Sequence, residues 1–526
     1  MRLVRSLLWL VLVVGCGVED FGKDPPVTQV PVDPPPPAPQ PGALSLVFDG
    51  ARIQTVVGRT TAVKVHVPDR EKLASVLTIA LESPPPGFTM APANLAIGKD
   101  TTDLNLFTSV TTPGQPEVLT FSLTSVRGEE ARVFVQAEVA GRPGTIDSSF
   151  SNDPRVVKLG NLQVPPSIVV DTAGRTIVSG AELPLAGGIP RAGVARLSNS
   201  GGLDYNFTNE VGSLGIVHFT PNPATQYEYV YAMDVDANSR VIGAVLLGGG
   251  VGSYLQRLQP NGQVDSSFGT AGTVKLAEFG YPYGLVIDRD GIVVCGQDRL
   301  NARPVAFLRR YLADGKEDTG FASAWLSLDT RVNIVQNLVR TPGGRFAFIG
   351  QASGGYLVFL AEVDGVPVTT FGDRGTVSFP YTDGSVSGLA VTNDAIFVVG
   401  TKTTTTGTRA RIIKLGHDGV RDKSFGTDGE VIAPLTGSFA KSVVDGLGRV
   451  VTVGRGTTGF GVLERWTVNG AADVNFGLAG RVQISTTGDS FQSLVIRPNG
   501  RILTVTRVPN VQPNTPTTLQ VTQYWD

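Results

Sequence analysis

Residues that could bind a metal ion or transfer protons are few and scattered along this chain. The three histidines are His66, His218 and His417, and none has a second histidine at metal-ligand spacing. A histidine-based zinc site or a Ser-His-Asp triad is therefore poorly supported. The stretch 234–238, with the sequence Asp-Val-Asp-Ala-Asn, has the composition of a calcium loop. It falls on a predicted hairpin turn, so a structural role is the main interpretation and calcium binding is the alternative.

The two cysteines have different surroundings. Cys295 lies in the apolar run Ile292–Gly296, which predicts a buried thiol that fills space rather than a nucleophile. Cys16 ends a leader in which Arg2 and Arg5 precede an apolar run. The sequence thus assigns no catalytic residue, no cofactor-binding residue, no metal ligand and no cofactor.

The end of the leader, Val-Val-Gly-Cys, resembles the lipobox of bacterial lipoproteins. This resemblance implies cleavage of a signal peptide, residues 1–15, and lipidation of Cys16. An ordinary secretory signal with an incidental cysteine is the alternative. Gly17 follows the cysteine, and by the same resemblance the outer membrane is favoured as the destination. We therefore expect an exported protein anchored to the bacterial envelope through lipid on Cys16.

Residues 16–42 are rich in proline and include the run Pro34–Pro39. Proline fixes φ and removes backbone donors, so this segment is predicted to be an extended, semi-rigid tether. A proline-rich ligand for a recognition domain is the alternative.

Residues 43–141 alternate apolar and polar side chains in several short stretches separated by turn residues. Thr61–Val67, Leu119–Leu123 and Ala131–Val139 are examples, and this pattern predicts a small β-sandwich. The segment Leu81–Thr89, followed by Ile97-Gly98 and a further strand, resembles immunoglobulin-like modules of bacterial surface proteins.

Residues 142–526 contain a repeated motif, Asp-x-x-Phe, usually followed by glycine. Successive phenylalanines are separated by 57, 61, 53, 50, 54 and 51 residues, a period of about 54. Such a period is typical of arrays in which each unit buries its apolar face against its neighbours. The motif recurs at Asp147–Phe150, Asp204–Phe207, Asp265–Phe268, Asp318–Phe321, Asp422–Phe425 and Asp473–Phe476, with a degenerate copy at Phe371-Gly372.

Each unit has the pattern of four strands, which is the size of one propeller blade. A hairpin such as Leu285–Gly296 is followed by a third strand, an Asn-Gly or Asp-Gly turn and a fourth strand. The repeated text, including the stretches 284–297 and 261–276, resembles the delta-60 repeat family of bacterial surface proteins and the NHL-type blade. The resemblance implies that the hairpin supplies the two inner strands, and it implies no particular activity.

The copies begin and end out of phase. The first copy starts near Gly144 with only an outer strand, residues 155–159, and the last stops at Asp526 after its third strand. Joining the two ends gives seven whole units. The predicted fold is therefore all-β, a closed seven-bladed β-propeller after a β-sandwich, and an open solenoid is the alternative. We expect each Phe to pack between neighbouring units and each Asp to accept hydrogen bonds from its adjacent turn.

Function is expected where the copies differ. These variable connections join the second strand to the third and the fourth strand to the next unit's first, and they are predicted to share one face of the ring, with the repetitive turns on the opposite face. Tyrosine and arginine are favoured at interfaces, although solvated loop residues are the alternative for each. A formal charge of −2 gives no basic footprint for nucleic acid. The candidate binding face contains Tyr227, Tyr229, Tyr281, Tyr283, Arg299, Arg303, Arg331 and Arg455.

Two functions remain open at this stage. The first is a monomeric, lipid-anchored binding or scaffolding protein of the envelope, whose partner is a protein or a polysaccharide. The second is an enzyme, a glycan lyase or hydrolase with its site at the mouth of the central channel.

Overall fold

A computed structural model describes residues 44–526, except for 49–51, 58–59, 69–76, 86, 92–100, 109–116, 148, 151–165, 183–190, 210–214, 220–227, 249–251, 278–279, 290, 301–302, 323–325, 327–328, 330, 485–489 and 509–517. The predicted signal peptide, Cys16 and the proline-rich tether lie outside the described residues. Tyr227 and the predicted outer strand 155–159 also lie outside them.

Residues 44–140 form two four-stranded sheets around one shared core. In β3, Val63 and Val65 are buried and Lys64 is exposed, as expected when alternate side chains of a strand face opposite sides. Phe48 of one sheet contacts Phe121 of the other, with 4.7 Å between ring centroids. The sheets have the orders β1-β3-β6-β5 and β2-β8-β7-β4, and their strands are β1 (Val47–Phe48), β2 (Arg52–Val56), β3 (Thr60–His66), β4 (Leu77–Glu82), β5 (Phe88–Ala91), β6 (Thr101–Thr108), β7 (Glu117–Ser125) and β8 (Glu130–Ala140).

From residue 168 onward the described residues form seven further sheets, each antiparallel and each ordered as its strands occur in the chain. These sheets are β9 (Ile168–Val170), β10 (Thr176–Glu182), β11 (Arg191–Leu197) and β12 (Ile216–His218); β13 (Glu228–Val235), β14 (Val241–Leu247), β15 (Gly252–Leu258) and β16 (Thr273–Ala277); β17 (Tyr281–Asp288), β18 (Gly291–Leu300) and β19 (Arg303–Tyr311); β20 (Val332–Arg340), β21 (Phe346–Ala352), β22 (Gly355–Ala361) and β23 (Thr376–Pro380); β24 (Gly384–Val391), β25 (Ala395–Thr404), β26 (Gly407–Gly416) and β27 (Glu430–Ile432); β28 (Thr436–Val444), β29 (Val450–Gly456), β30 (Gly461–Trp466) and β31 (Arg481–Gln483); and β32 (Ser490–Ile496), β33 (Ile502–Val508) and β34 (Thr518–Tyr524).

The first strand of each sheet packs against the first strands of both neighbouring sheets. This succession runs through β9, β13, β17, β20, β24, β28 and β32, and β32 in turn packs against β9. The apolar cores lie between neighbouring sheets, and one of them joins Val178 and Ala195 of the first sheet to Val505 and Val521 of the last. The all-β prediction is confirmed, and the sheets are arranged as in a β-propeller.

Backbone hydrogen bonds join the start of the repeat region to the last strand. The amide of Gly144 donates to the carbonyl of Trp525 at 2.8 Å, and the amide of Asp147 donates to the carbonyl of Gln523 at 2.8 Å. Between them Ile146 forms an antiparallel bridge with Tyr524. The segment 144–147 therefore continues the last sheet beyond β34 and satisfies the backbone groups of an otherwise open edge.

The Asp-x-x-Phe motif ties the third strand of a sheet to the turn that follows it. Asp265 Oδ1 accepts a hydrogen bond from the amide of Ser267 at 3.2 Å, while Oδ2 accepts one from Arg257 Nε at 2.7 Å. The guanidinium carbon of Arg257 lies 4.6 Å from the centroid of the Phe268 ring. Burial raises the pKa of Asp265, but the Ser267 hydrogen bonds and the Arg257 charge outweigh burial and hold it below the ordinary value. The arginine, which the predicted Asp-x-x-Phe motif does not include, thus links the Asp and the Phe of the motif.

In the six copies for which the residue after the Phe is described, the amide of that residue donates one hydrogen bond to the next unit along the ring. The amide of Gly269 donates to the carbonyl of Asp314 at 2.8 Å. Gly315 has φ +87°, and a Cβ there would lie 2.8 Å from the Gly269 nitrogen, so glycine is needed for this approach. At the junction of the chain ends, the amide of Gly477 donates to the carbonyl of Pro143 at 2.8 Å. The ends are therefore joined by the same contact that joins neighbouring units elsewhere.

Candidate functional site

The inner strands carry β-bulges at matching positions, and these bulges help to form the centre of the ring. The pairing of the first two strands shifts register around Tyr231 in β13, Tyr283 in β17, Asn337 in β20, Ser387 in β24 and Ala440 in β28. A further shift occurs in β32. A bulge redirects one side chain from the regular alternation of a strand. Three of the bulge residues, Tyr231, Tyr283 and Asn337, line a central cavity as a result.

This cavity, which we call the central channel, has a volume of about 540 Å³. Its volume is in the range of cavities that bind small ligands. Six of the seven described inner strands, or the residues just before them, contribute to it, so it lies on the axis of the ring. The lining residues are Pro166, Ser167, Ile168, Tyr231, Met233, Tyr283, Gln336, Asn337, Lys441, Ser493 and Leu494.

Tyrosines of β13 and β17 form an aromatic cluster at the channel. The rings of Tyr281 and Tyr283 are stacked, with centroids 5.7 Å apart and planes inclined by 14°. Tyr231 meets both of them edge to face, at 5.9 Å and 5.5 Å. Burial and the neighbouring tyrosines raise the pKa of Tyr231 to about 12, so its phenol is neutral at physiological pH and can donate a hydrogen bond.

Two of the predicted binding residues, Tyr281 and Tyr283, are brought together here, and Tyr229 lies on β13 two residues before Tyr231. Sequence reasoning missed Tyr231. Its signal was the spacing Tyr-x-Tyr over 229–231, which in a regular strand would place both side chains on one face, and the bulge at Tyr231 breaks that alternation.

Lys441 faces the tyrosine cluster from the opposite part of the ring. Its Nζ donates to Asn337 Oδ1 at 3.2 Å, and Asn337 Nδ2 donates to the carbonyl of Ser387 at 2.9 Å. Ser387 Oγ then donates to the carbonyl of Phe439 at 2.8 Å, so side chains connect β20, β24 and β28. Lys441 is partly buried and borders the channel, and burial lowers its pKa. Among the described residues it forms no ion pair with a carboxylate.

A second cavity, of about 440 Å³, lies where predicted variable connections meet, and we call it the rim pocket. Arg303 and Pro304 contribute from the start of β19, and Arg331 to Ile334 contribute from the start of β20. Arg331 Nη2 is 2.8 Å from Asp329 Oδ2, which fixes the direction of the guanidinium. The pocket is completed by Tyr381, which begins the 3-10 helix Tyr381–Asp383 and donates to the carbonyl of Ala352 at 2.8 Å.

The remaining predicted arginines are placed differently. Arg299 is exposed near the end of β18, opposite Pro304 in the hairpin that borders the rim pocket. Arg455 lies on β29 of another sheet, where its Nε donates to the carbonyl of Gly459 at 2.9 Å. The structure therefore groups Arg303 with Arg331 and leaves Arg455 separate.

The acidic turn at 234–238 uses its carboxylates within the protein. Asp236 Oδ1 accepts from the amides of Asn238 and Arg240, each at 2.9 Å, and Asp234 Oδ2 accepts from the amide of Ile287 at 2.8 Å. Asp171 and Asp445 hold the corresponding turns of other sheets in the same way. These contacts support the structural interpretation, and the described His, Cys, Asp and Glu residues form no group of three that could hold a metal ion.

Cys295 is buried, and its Sγ lies 3.8 Å from the carbonyl oxygen of Val335. Burial raises the pKa of this thiol, as expected for a residue that fills space in the core. In the part of the chain that the structure describes, no helix has the length and apolar character to span a bilayer.

Comparison with protein families gives one short match. A family described as "Domain of unknown function (DUF5122) beta-propeller" matches residues 241–268, which extend from the start of β14 to Phe268. The matched stretch thus contains the second and third strands of one sheet and its Asp-x-x-Phe motif. It supports a β-propeller-like family. The delta-60 and immunoglobulin-like resemblances have no support from this match. A search of curated proteins found no match.

Solved structures similar to the chain include several surface proteins. The S-layer protein SbsC, domains 4 and 5, is 14% identical with a TM-score of 0.14, and the match covers 18% of this chain and 52% of that one. SbsC domains 4–9 are 12% identical, cover 91% and 82%, and also score 0.14. SGBP-B of Bacteroides ovatus, in complex with a mixed-linkage heptasaccharide, is 12% identical, covers 51% and 70%, and scores 0.14. The chain spans about half of the first structure, and scores this low carry no argument about fold or function.

Proposed function

We propose that this protein is a binding or scaffolding protein of the bacterial envelope, which presents the variable connections of its ring to a polysaccharide or protein. It is exported, anchored in the outer membrane through lipid on Cys16, and acts as a monomer. The proline-rich tether holds the ring away from the lipid surface.

The observation that carries this proposal is the rim pocket. Arg303 and Arg331, which lie at the starts of strands in two neighbouring sheets, line the same cavity with Tyr381. Arginine and tyrosine provide directed hydrogen bonds and a flat apolar surface at little entropic cost, which suits recognition. Strands on both sides hold these residues, and loops on a rigid scaffold are common recognition sites.

The alternative of a glycan lyase or hydrolase needs an acid and a base with pKa values near the working pH. The described lining of the central channel offers tyrosine, asparagine and lysine side chains and contains no carboxylate. Burial moves the pKa of Tyr231 to about 12, away from the range of an efficient general base. The geometry thus favours binding over turnover.

Affinity capture with purified full-length protein tests the proposal. Envelope polysaccharide and envelope protein fractions are passed separately over the immobilised wild type and over a double variant, Arg303→Ala with Arg331→Ala. We expect one fraction to be retained by the wild type and lost by the double variant, because both arginines line the rim pocket. The matched control is Arg374→Ala, since Arg374 is 83% exposed and lies in a third-to-fourth-strand connection, on the predicted opposite face.

Retention of no fraction would contradict the proposal, and so would equal loss in the control and the double variant. The anchor is tested separately by labelling cells with a radioactive fatty acid. We expect label on the wild type and none on Cys16→Ser, and equal labelling of both would contradict a lipid anchor at Cys16.

A further inference from the structure

We infer that the central channel is a binding site for an acidic saccharide, in which Lys441 pairs with the carboxylate of a uronic acid residue and Tyr231 and Tyr283 contact its ring. This inference rests on the proposed function and narrows its partner to a uronate-containing polysaccharide.

The central channel is lined by one cationic side chain, Lys441, among its described residues. Lys441 provides an ammonium group with three donors, and the contact with Asn337 Oδ1 uses one of them. No carboxylate is found among the described residues that line the channel. Partial burial of a cation without a counter-charge is costly, and burial accordingly lowers the pKa of Lys441. An anion in the channel would offset the free-energy cost of burying the ammonium group and would accept a charge-assisted hydrogen bond from Lys441.

The position of the ammonium group is fixed by neighbouring strands. Asn337 adopts φ +53° at the bulge of β20 and is held by its donation to the carbonyl of Ser387. Lys441 follows the bulge of β28 directly. An ammonium held in this way is prepared for a ligand rather than free to adopt many conformations, and less entropy is lost on binding.

The aromatic side of the channel favours a sugar over a simple carboxylate. Tyr231 and Tyr283 present ring surfaces and neutral phenol groups, which suit a ligand that has both an apolar face and several hydroxyls. Ser167, Gln336 and Ser493 add polar groups around the same cavity. One cation matches the single charge of a uronate, and the volume of about 540 Å³ admits more than a small ion.

Calorimetric titration of the full-length protein tests this inference. The probes are short oligomers of galacturonic acid, neutral oligomers of galactose of the same length, and acetate. We expect the acidic oligomers to bind and the neutral oligomers to bind at least about tenfold more weakly, since they cannot form the ion pair. Acetate should bind weakly, because it lacks the ring that the tyrosines contact.

Two variants assign the binding to the channel. Lys441→Met keeps the length of the side chain and removes its charge, and we expect it to weaken binding of the acidic oligomers at least about tenfold. Lys316→Met is the matched control, because Lys316 is 80% exposed and lies in a turn outside the channel. A circular dichroism spectrum and a melting temperature equal to those of the wild type would show that Lys441→Met is folded. If Lys441→Met does not fold, the comparison of acidic with neutral oligomers on the wild type decides.

Equal binding of acidic and neutral oligomers would overturn the inference. It would also fail if folded Lys441→Met bound the acidic oligomers as tightly as Lys316→Met does, or if no oligomer bound to the wild type. These results can be told apart from a result that contradicts the proposed binding role. If the envelope fraction is still lost on changing Arg303 and Arg331, the binding role stands and only the channel assignment falls.

Discussion

Truncation of one repeated phenylalanine is expected to destabilise the ring strongly. Phe268 is 0% exposed and packs in a core shared by two neighbouring sheets, with Ala232 and Leu255 on one side and Leu285 and Val294 on the other. Replacing a buried Phe by Ala costs about 3 to 5 kcal/mol from lost burial and the remaining cavity. The contact with the Arg257 guanidinium would be lost as well, which places Phe268→Ala towards the upper end of that range.

Denaturant unfolding followed by tryptophan fluorescence measures this change. Trp466 and Trp525 are both buried in the ring, so their emission reports its unfolding. The matched control is Phe134→Ala, because Phe134 is 70% exposed on β8, and surface substitutions usually change stability by less than about 0.5 kcal/mol. If Phe268→Ala lost no more stability than the control, the assignment of the repeated phenylalanine to the contact between sheets would be wrong.

Three further predictions concern Asp147, Gly315 and Cys295. Burial raises the pKa of Asp147, but hydrogen bonds from Ser149 and Gln523 outweigh burial and hold this pKa below its ordinary value. The ionised Asp147 therefore stabilises the fold above the unfolded-state pKa of about 3.9, and this stabilisation is lost as the pH falls through the lower folded-state pKa. The difference in melting temperature between wild type and Asp147→Asn should accordingly shrink from pH 7 to pH 3. Gly315→Ala should lower the melting temperature more than Gly128→Ala, because both glycines have positive φ but of the two only Gly315 would bring a Cβ within 2.8 Å of backbone. Equal effects of the two substitutions would contradict the close approach of Gly315 to Gly269. The Cys295 thiol should react with a disulfide reagent only after denaturant is added, as its burial and raised pKa require, and fast reaction in the native protein would contradict its buried position.

The sequence predicted the architecture well because the residues that hold each unit together recur from unit to unit at a fixed spacing. Aspartate and phenylalanine recur at fixed spacing, and the structure shows why, since Asp265 and Phe268 contact the same arginine, Arg257. Arg257 comes eight residues before Asp265, and the same spacing separates Arg196 from Asp204, Arg310 from Asp318, Lys414 from Asp422 and Arg465 from Asp473. The basic position therefore recurs in the sequence as well. The Asp-x-x-Phe motif does not include it, and the structure shows that Arg257 contacts both the Asp and the Phe.

The candidate site was only partly predictable. Tyr281 and Tyr283 were identified from the variable connections, but their grouping with Tyr231 depends on bulges, which shift register without a clear sequence pattern. Lys441 gave no signal at all, because nothing in its local sequence indicates that it faces the channel. Arg303 and Arg331 meet because the third strand of one sheet begins beside the start of the first strand of the next. Contacts across sheets are thus the part that a linear pattern cannot supply.

The closed ring is the central claim, and a distance between spin labels at positions 146 and 478 tests it most directly. Ile146 and Leu478 are 62% and 83% exposed, so both can be labelled as cysteines in a chain carrying Cys16→Ser and Cys295→Ala. The bond from Gly477 to Pro143 brings their backbones together, and chain reach then limits the Cα distance to about 20 Å. Pulsed electron resonance should give one short distance. In an open array the intervening sheets, spaced by about 10 Å, would separate the labels by about 50 Å or more, and that result would contradict the ring.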